Sequence, residues 1–544
     1  IRFHNIERKH RGYFMDRKQH NLTWHYVEKW AEERPDAEAL IFEQTRLTWS
    51  DFKKKMDLTA KAFLEAGVGK GDRIAMLSTP RTEFIIVYMA AHKIGAMFLG
   101  LNPKFTVEEL KFQITHSAPA LLVTVREFLG EDITPVVKTL MNECPSLKET
   151  LVIGEAFEGT KSFAAYTDAP RTELNEALAA RSSSVRDTDN ALLMYTSGST
   201  GKPKGVVHTQ KSIIENIRVE IQKFYFSPGK KGLLHLPINH VAADVEIGYG
   251  VIMAGGCLVF MDRFDPMESL RLIEKEKIHF FGQVPVMFLL QIAQPAFKEI
   301  DLSGVESFIW AGSSAPKVML DVLSGICAES GAELFTGYGS TETCGFITYT
   351  EKGDDIDTLL ATAGKIAPPF ELKIVDDERR EIPDGEVGEI AVRGDFMFKE
   401  YFNNPEATAE VLDKDGWYYT TDLAYKDERG YIHITGRKSE MFKTGGENVY
   451  PREVEAVIES HDAVLFAAVM GAPDDIYQEV GWAFVMPKPG NAVTEEELRD
   501  FCRPKLANFK LPKKFIIRPL LPLMPTGKVN KLELKSEIKQ MLEK

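Results

Sequence analysis

The chain has 544 residues, of which 44% are hydrophobic and 27% charged, and its formal net charge is -14. This length suits several domains with ample core material, and the acidic balance excludes a general nucleic-acid binder, which needs a basic footprint. No apolar run reaches the roughly 18 residues of a membrane span, and the five scattered cysteines include no CxxC pair, against a disulfide framework or a zinc site.

The first ten residues are polar and lack a signal-peptide core. With the cysteine usage they point to a reducing, cytoplasmic setting. In chain order, residues 51–67 place Phe52, Met56, Ala60 and Phe63 on one helical face, and Gly67 ends the run. Residues 74–77 read as a short buried strand and 81–94 as a helix stopped by Gly95. Residues 192–195 read as a strand, followed by a Gly/Ser/Thr loop and a helix from about Gln210. Strands alternating with helices imply βαβ units and substantially parallel sheet. Near Gly385 the texture changes: 386–393 and 417–434 look like β-hairpins with Gly and Asp turns. From about 440 the chain is shorter-ranged and lysine-rich, which puts a boundary at 436–440.

The strongest motif is residues 195–205, Tyr-Thr-Ser-Gly-Ser-Thr-Gly-Lys-Pro-Lys-Gly. Its glycines, Gly198 and Gly201, let backbone N–H groups approach phosphate oxygens; Thr196, Ser197, Ser199 and Thr200 add hydroxyl donors, and Lys202 and Lys204 add charge. A flexible linker is the plainer alternative, although linkers rarely carry two lysines flanking a proline. The segment is not a Walker loop, because Pro203 stands where Ser or Thr should bind magnesium. A second motif is residues 337–343, Gly-Tyr-Gly-Ser-Thr-Glu-Thr. A dinucleotide fingerprint fails here because Glu342 takes the place of the third glycine.

These two segments, and those that follow, resemble the ANL superfamily of adenylate-forming enzymes, which includes acyl-CoA synthetases, peptide-synthetase adenylation domains and luciferases. The resemblance covers nearly the whole chain in the expected motif order. It implies an α/β fold: a large N-terminal domain of βαβ-type sheets plus a β-barrel-like subdomain (1–436), a hinge (437–440) and a small mobile α+β C-terminal domain (441–544). Tyr338, between Gly337 and Gly339, would stack on adenine, and Thr341 and Glu342 would hold magnesium, a hard oxygen site. Family members often carry Asn or Gln two residues before that tyrosine, where this chain has Thr336. Residues 311–316, Ala-Gly-Ser-Ser-Ala-Pro, resemble the loop flanking adenine and the acyl chain, which assigns Ser313, Ser314, Ala315 and Pro316 to the nucleotide. Asp422, ending Trp-Tyr-Tyr-Thr-Thr-Asp, resembles the aspartate that binds both ribose hydroxyls; many members have Gly where Thr421 stands. Arg437 resembles the arginine that contacts ribose or phosphate. The hinge position, commonly Asp or Lys, is Ser439.

Residues 443–448, Lys-Thr-Gly-Gly-Glu-Asn, resemble the loop that enters the active site for thioester formation, with Lys443, Gly445 and Gly446 beside pantetheine. A tight turn before a helix is compatible with that role. Phe509 and Lys513 would meet CoA, and Lys528, in Pro-Thr-Gly-Lys, resembles the catalytic lysine. Residues 235–246 resemble the motif flanking the acyl pocket: His240 is the gate candidate, with a core histidine as the alternative, and Val241, Ala242, Trp310 and Gly312 suggest a mainly apolar pocket. Relatives that activate amino acids carry Asp at the position aligned with Val241, and Asp244 leaves that alternative open.

The implied reaction is an AMP-forming acyl-CoA synthesis. ATP and CoA are co-substrates, Mg2+ is the cofactor, and the acid is a medium- or long-chain fatty monocarboxylate. The alternatives are an aromatic acid, a carrier-protein pantetheine as acceptor, a luciferase-like oxygenase, and a non-catalytic nucleotide-binding protein. Oligomeric state, a homodimer included, is not legible in the sequence.

Overall fold

A computed structural model describes residues 21–196, 203–524 and 529–543. Two twisted sheets organise the N-terminal part. The first has seven strands in the order Glu333–Phe335, Ser307–Trp310, Phe280–Gln283, Lys231–Leu234, Cys257–Phe260, Glu38–Phe42 and Thr45–Thr48, with every neighbouring pair parallel except the last. The second has eight strands around a parallel centre, Met97–Leu101, Arg73–Leu77, Leu121–Val125 and Glu149–Ile153. These strands read as continuous Val/Ile/Leu/Met runs because both faces of a parallel sheet are covered.

The helix Thr82–Lys93 shows how the sheets pack. All its residues except Glu83 are buried. It shares one core with Trp49 and Phe52 of the helix Trp49–Glu65, Ile74 and Phe98 of one sheet, and Leu234 and Leu258 of the other. A helix that is apolar all round belongs between layers. The expected strand at 192–195 is observed as Asn190–Thr196 and the expected helix as Gln210–Lys223. The segment between them differs from the sequence reading. Lys204–Thr209 is a strand, antiparallel to Asn190–Thr196, and Thr196 pairs with Lys204. Val206 and Val207 favour that strand, and their side chains are buried. The phosphate-loop candidate therefore connects two strands of a hairpin.

An antiparallel four-stranded sheet follows: Glu371–Val375, Gly388–Arg393, Tyr418–Lys426 and Ile432–Arg437. The last sheet has five strands, Glu447–Val449, Phe442–Thr444, Gln478–Pro487, Val464–Asp474 and Lys514–Ile517. Among the described residues its strands pair only with one another. Its two faces carry separate cores. One gathers Phe442, Val454, Ile458, Leu498 and Phe515, and the other Met470, Phe484, Leu534 and Ile538. Among the described residues no helix is long and apolar enough to cross a membrane.

Candidate active site

Tyr338, Asp422 and Arg437, three residues expected at the nucleotide, meet at one corner of the fold. Tyr338 Oη donates to Asp422 Oδ2 at 2.6 Å, and Arg437 Nε donates to Asp422 Oδ1 at 3.0 Å. Asp422 pairs with Arg437 across adjacent antiparallel strands. Its own N–H donates to Thr420 Oγ1 at 3.1 Å. Thr421 holds φ at 63°, a left-handed conformation that a β-branched side chain adopts only under strain. The glycine that relatives carry here is the residue for which that conformation is free.

Gly337 and Gly339 flank Tyr338 for a steric reason. A Cβ at Gly337 would lie 1.9 Å from Thr348 O, and one at Gly339 2.0 Å from Gly345 O. Thr336 does not face outward: its hydroxyl donates to Trp310 O at 2.9 Å, and its N–H donates to Thr350 Oγ1 at 2.9 Å. The 313–316 loop follows the carboxyl end of Ser307–Trp310, the edge of a parallel sheet where ligands bind. Gly312 turns the chain at φ 87°, leaving Ser313 and Ser314 exposed, while Ala315 is buried and Pro316 caps the helix Lys317–Ser330.

The loop carrying Thr341 and Glu342 is held from outside. Tyr401 Oη donates to Glu342 Oε1 at 2.9 Å, and Lys204 Nζ lies 4.8 Å from the Tyr401 ring centroid. His208 Nε2 meets Thr341 O at 2.7 Å. Burial pushes the His208 imidazole down to about 4, so it is neutral and that nitrogen is the donor. Asn216 Nδ2 donates to Thr343 O at 3.1 Å and to Phe346 O at 2.9 Å. Thr196 and Lys204 are thus placed at the mouth of the hairpin. Ser197, Gly198, Ser199, Thr200, Gly201, Lys202 and Lys528 lie outside the described residues.

In the segment expected to flank the acyl group, His240 Nδ1 accepts the N–H of Ala242 at 3.2 Å, and Val241 is buried. Trp310 requires a correction. It belongs to the core with Phe281, Phe308 and Met319, whereas its strand neighbour Ile309 shares the other core with Val241. Alternation along a strand sends consecutive side chains to opposite faces. The Trp310 ring therefore does not line a pocket with Val241, and its carbonyl accepts from the Thr336 hydroxyl.

In the C-terminal sheet, Lys443 lies on a hairpin of Phe442–Thr444 with Glu447–Val449. Its two-residue turn is Gly445-Gly446, both at positive φ (61° and 93°), as a tight hairpin demands. Gly445 N donates to Tyr477 O at 2.9 Å, and Lys513 Nζ lies 4.9 Å from the Tyr477 ring centroid. Tyr477 thus joins two of the expected CoA residues. Phe509 packs against the core, partly buried. Around Ser439 the chain is clamped on both sides. Lys438 Nζ pairs with Asp377 at 2.6 Å, and Lys438 N donates to Thr421 O at 2.8 Å. Glu440 pairs with Lys531 Nζ at 2.7 Å, and the same Nζ reaches Glu455 at 3.0 Å.

Sequence reading missed Tyr401, His208, Asn216, Tyr477 and Lys531. None stands in a motif of its own. Tyr401 and His208 reach the site only because Glu400–Tyr401 and Lys204–Thr209 pair at a sheet edge.

Comparisons with known proteins bear on the family and the fold. The sequence model of the AMP-binding enzyme matches residues 27–402, and that of the AMP-binding enzyme C-terminal domain matches 453–528. The chain belongs to the AMP-binding enzymes. Within them it is an AMP-forming acyl-CoA ligase, as its relatives are. It is 30% identical over 520 residues to the long-chain-fatty-acid–CoA ligase FadD13 of Mycobacterium tuberculosis, covering 95% of this chain and 98% of that one. It is 30% identical over 525 residues to the medium-chain fatty-acid–CoA ligase of Escherichia coli, covering 95% and 90%. A solved Mycobacterium tuberculosis fatty acyl CoA synthetase matches with a TM-score of 0.72 at 28% identity, covering 95% of this chain and 98% of that chain. The anthranilate CoA ligase AuaEII, solved with anthranoyl-AMP, matches in fold with a TM-score of 0.86 at 24% identity, covering 96% and 98%.

Proposed function

We propose that this enzyme activates a medium- or long-chain fatty monocarboxylate with ATP, forming an acyl-adenylate and pyrophosphate, and then passes the acyl group to CoA. The observation that carries the nucleotide half is Asp422 holding both Tyr338 and Arg437. A carboxylate held in place beside an aromatic ring suits a ribose next to an adenine.

The acid's carboxylate attacks the α-phosphorus in line, and charge develops on phosphoryl oxygens. Preorganised cations lower that barrier: Lys204 and Lys202 at the β- and γ-phosphates, Lys528 at the α-phosphate and the carboxylate. Glu342 and Thr341 offer the hard oxygens that magnesium prefers, and magnesium bound there with the phosphates supplies further charge neutralisation. Tyr401 orients the Glu342 carboxylate and His208 fixes the Thr341 backbone, so neither must reorganise when nucleotide binds.

The proposed domains are 1–436 and 441–544, with Ser439 as pivot. Lys438 is tied to Asp377 in the preceding part, while Glu440 is tied to Lys531 in the following one. Rotation between those clamps withdraws Lys528 and brings Gly445 and Gly446 to the adenylate, where the thiol attacks and AMP leaves.

The test is a panel of short, medium, long and aromatic acids assayed for pyrophosphate and AMP release, with and without CoA. Medium or long fatty acids should turn over best, and CoA should multiply the rate. Preference for an aromatic acid, or for a holo-carrier protein over CoA, would replace those parts of the reading, and no pyrophosphate with any acid would sink it. Lys528→Ala should abolish adenylation yet spare thioester formation from supplied acyl-AMP; equal loss of both would contradict rotation.

A further inference from the structure

Lys528 lies outside the described residues, but the chain on either side of it is fixed. Leu523 and Val529 form an antiparallel bridge, and Asn530 N donates to Pro522 O at 2.8 Å. The Asn530 side chain then caps the helix Lys531–Leu542 by accepting from Glu533 N. Leu534 and Ile538 bury that helix in one core with Met470 and Phe484.

Lys531 is the first residue of this helix. A cation is disfavoured there, because a helix N-terminus is itself partly positive. Its partners lie outside the helix: Nζ is 2.7 Å from Glu440 Oε2 and 3.0 Å from Glu455 Oε1. Burial works against the ammonium charge, but Glu455 and Glu440 outweigh it, so the Lys531 pKa is raised and the group stays charged. Glu455 is buried, and the same oxygen accepts Val469 N–H at 2.9 Å. Arg452 is no substitute partner. It pairs with Glu459 at 2.8 Å and stands 3.6 Å from Glu455.

The two carboxylates come from different segments. Glu440 directly follows Ser439, in a turn closed by Glu440 N and Met441 N, which both donate to Arg437 O at 2.9 and 3.0 Å. Glu455 stands on the helix Pro451–Glu459, which packs against the strand Ile432–Arg437. One ammonium thus joins the turn through Ser439, the helix that meets the preceding part, and the helix that begins three residues after Lys528.

We propose that Lys531 is a positioning residue for adenylation: by holding Glu440 and Glu455 together, it ties the segment that bears Lys528 to the chain at the pivot. This rests on the readings of Lys528 as the catalytic lysine and Ser439 as the pivot. Lys531 touches no reactant in this role. Its effect on rate comes through placement, and a catalytic group misplaced by about 1 Å can cost about 100-fold.

The experiment measures both half-reactions of the full chain: pyrophosphate release from ATP and a fatty acid, and thioester formation from supplied acyl-AMP and CoA. In Lys531→Met and in Glu440→Ala, kcat for pyrophosphate release should fall about tenfold with little change in KM for ATP or the acid, as expected when only the transition state is affected. The ratio of adenylation to thioester rate should fall about as far. Lys531→Arg keeps the charge and offers a fork that spans two carboxylates, so it should restore most of the ratio. Lys531→Met leaves Glu455 buried without its cation. If that variant does not fold, Glu440→Ala decides, because the Glu440 side chain is 34% exposed. Equal loss of both half-reactions, or an unchanged ratio in Glu440→Ala, overturns the proposal. Damage to both half-reactions in Lys528→Ala would instead remove the catalytic-lysine reading beneath it, and no pyrophosphate with any acid would remove the ligase reading.

Discussion

The phenol of Tyr338 donates to Asp422 across 84 residues of sequence, at 2.6 Å. A hydrogen bond to a charged group contributes about 1.5–3 kcal/mol. Tyr338→Phe keeps the ring for stacking but leaves Asp422 short of one donor. The expected outcome is a roughly 10- to 100-fold loss of ATP affinity with the fold intact. Calorimetric titration with ATP checks it; wild-type affinity would mean that the bond plays no part in nucleotide binding.

Tyr401 holds one oxygen of Glu342 at 2.9 Å. In Tyr401→Phe the carboxylate loses that anchor. Half-saturating magnesium for pyrophosphate release should rise several-fold, while the KM for the acid stays put. An unchanged magnesium titration would separate Glu342 from metal binding.

Three buried histidines make the fold acid-sensitive. Burial lowers His92 to about 3 and His208 and His235 to about 4. Each binds its proton more weakly folded than unfolded, where its pKa is near 6.5. Their contribution is therefore present above pH ~6.5 and is lost as pH falls toward 4. For His208 the full effect is on the order of 3 kcal/mol. Denaturant unfolding from pH 7.5 to 5 should show stability declining, with a shallower slope in His208→Gln, whose amide can still donate to Thr341 O.

Thr421 pays for its left-handed backbone, and its side chain is exposed. A strained φ of this kind costs about 1–3 kcal/mol, against about 0.5–1 kcal/mol for the extra freedom of glycine when unfolded. Thr421→Gly should raise stability by about 1 kcal/mol and leave ATP affinity unchanged, measured by denaturant melts and nucleotide titration. A destabilised variant would show that the threonine side chain is doing something the strain argument overlooks.

Tyr477 sits between Gly445 and Lys513. Tyr477→Ala should raise the KM for CoA about tenfold in thioester formation from supplied acyl-AMP, in line with loss of one aromatic contact. Adenylation without CoA should be unaffected. Equal damage to both half-reactions would mean that Tyr477 serves the fold alone.

Much of the site was legible because short-range chemistry writes itself into sequence. Glycines forced by close backbone approach at Gly337 and Gly339, a carboxylate beside a hydroxyl at Thr341 and Glu342, and the Gly445-Gly446 turn all announce themselves at fixed spacing. The hairpin strand at Lys204–Thr209 escaped because its valines adjoin a loop whose small residues dominated the reading. Trp310 was misplaced because motif spacing does not reveal which face of a strand a residue takes.

By itself the sequence determined the alternation of strand and helix, the order of the motifs and the chemistry each can perform, since these depend on neighbours a few residues apart. Only the tertiary structure decided that Tyr401 anchors Glu342, that His208 braces Thr341, and that Asn216 and Glu246 bring oxygens beside Gly345. Those contacts join segments from 59 to 133 residues apart. They arise from how sheets pair and helices pack, and no local pattern of side chains encodes that.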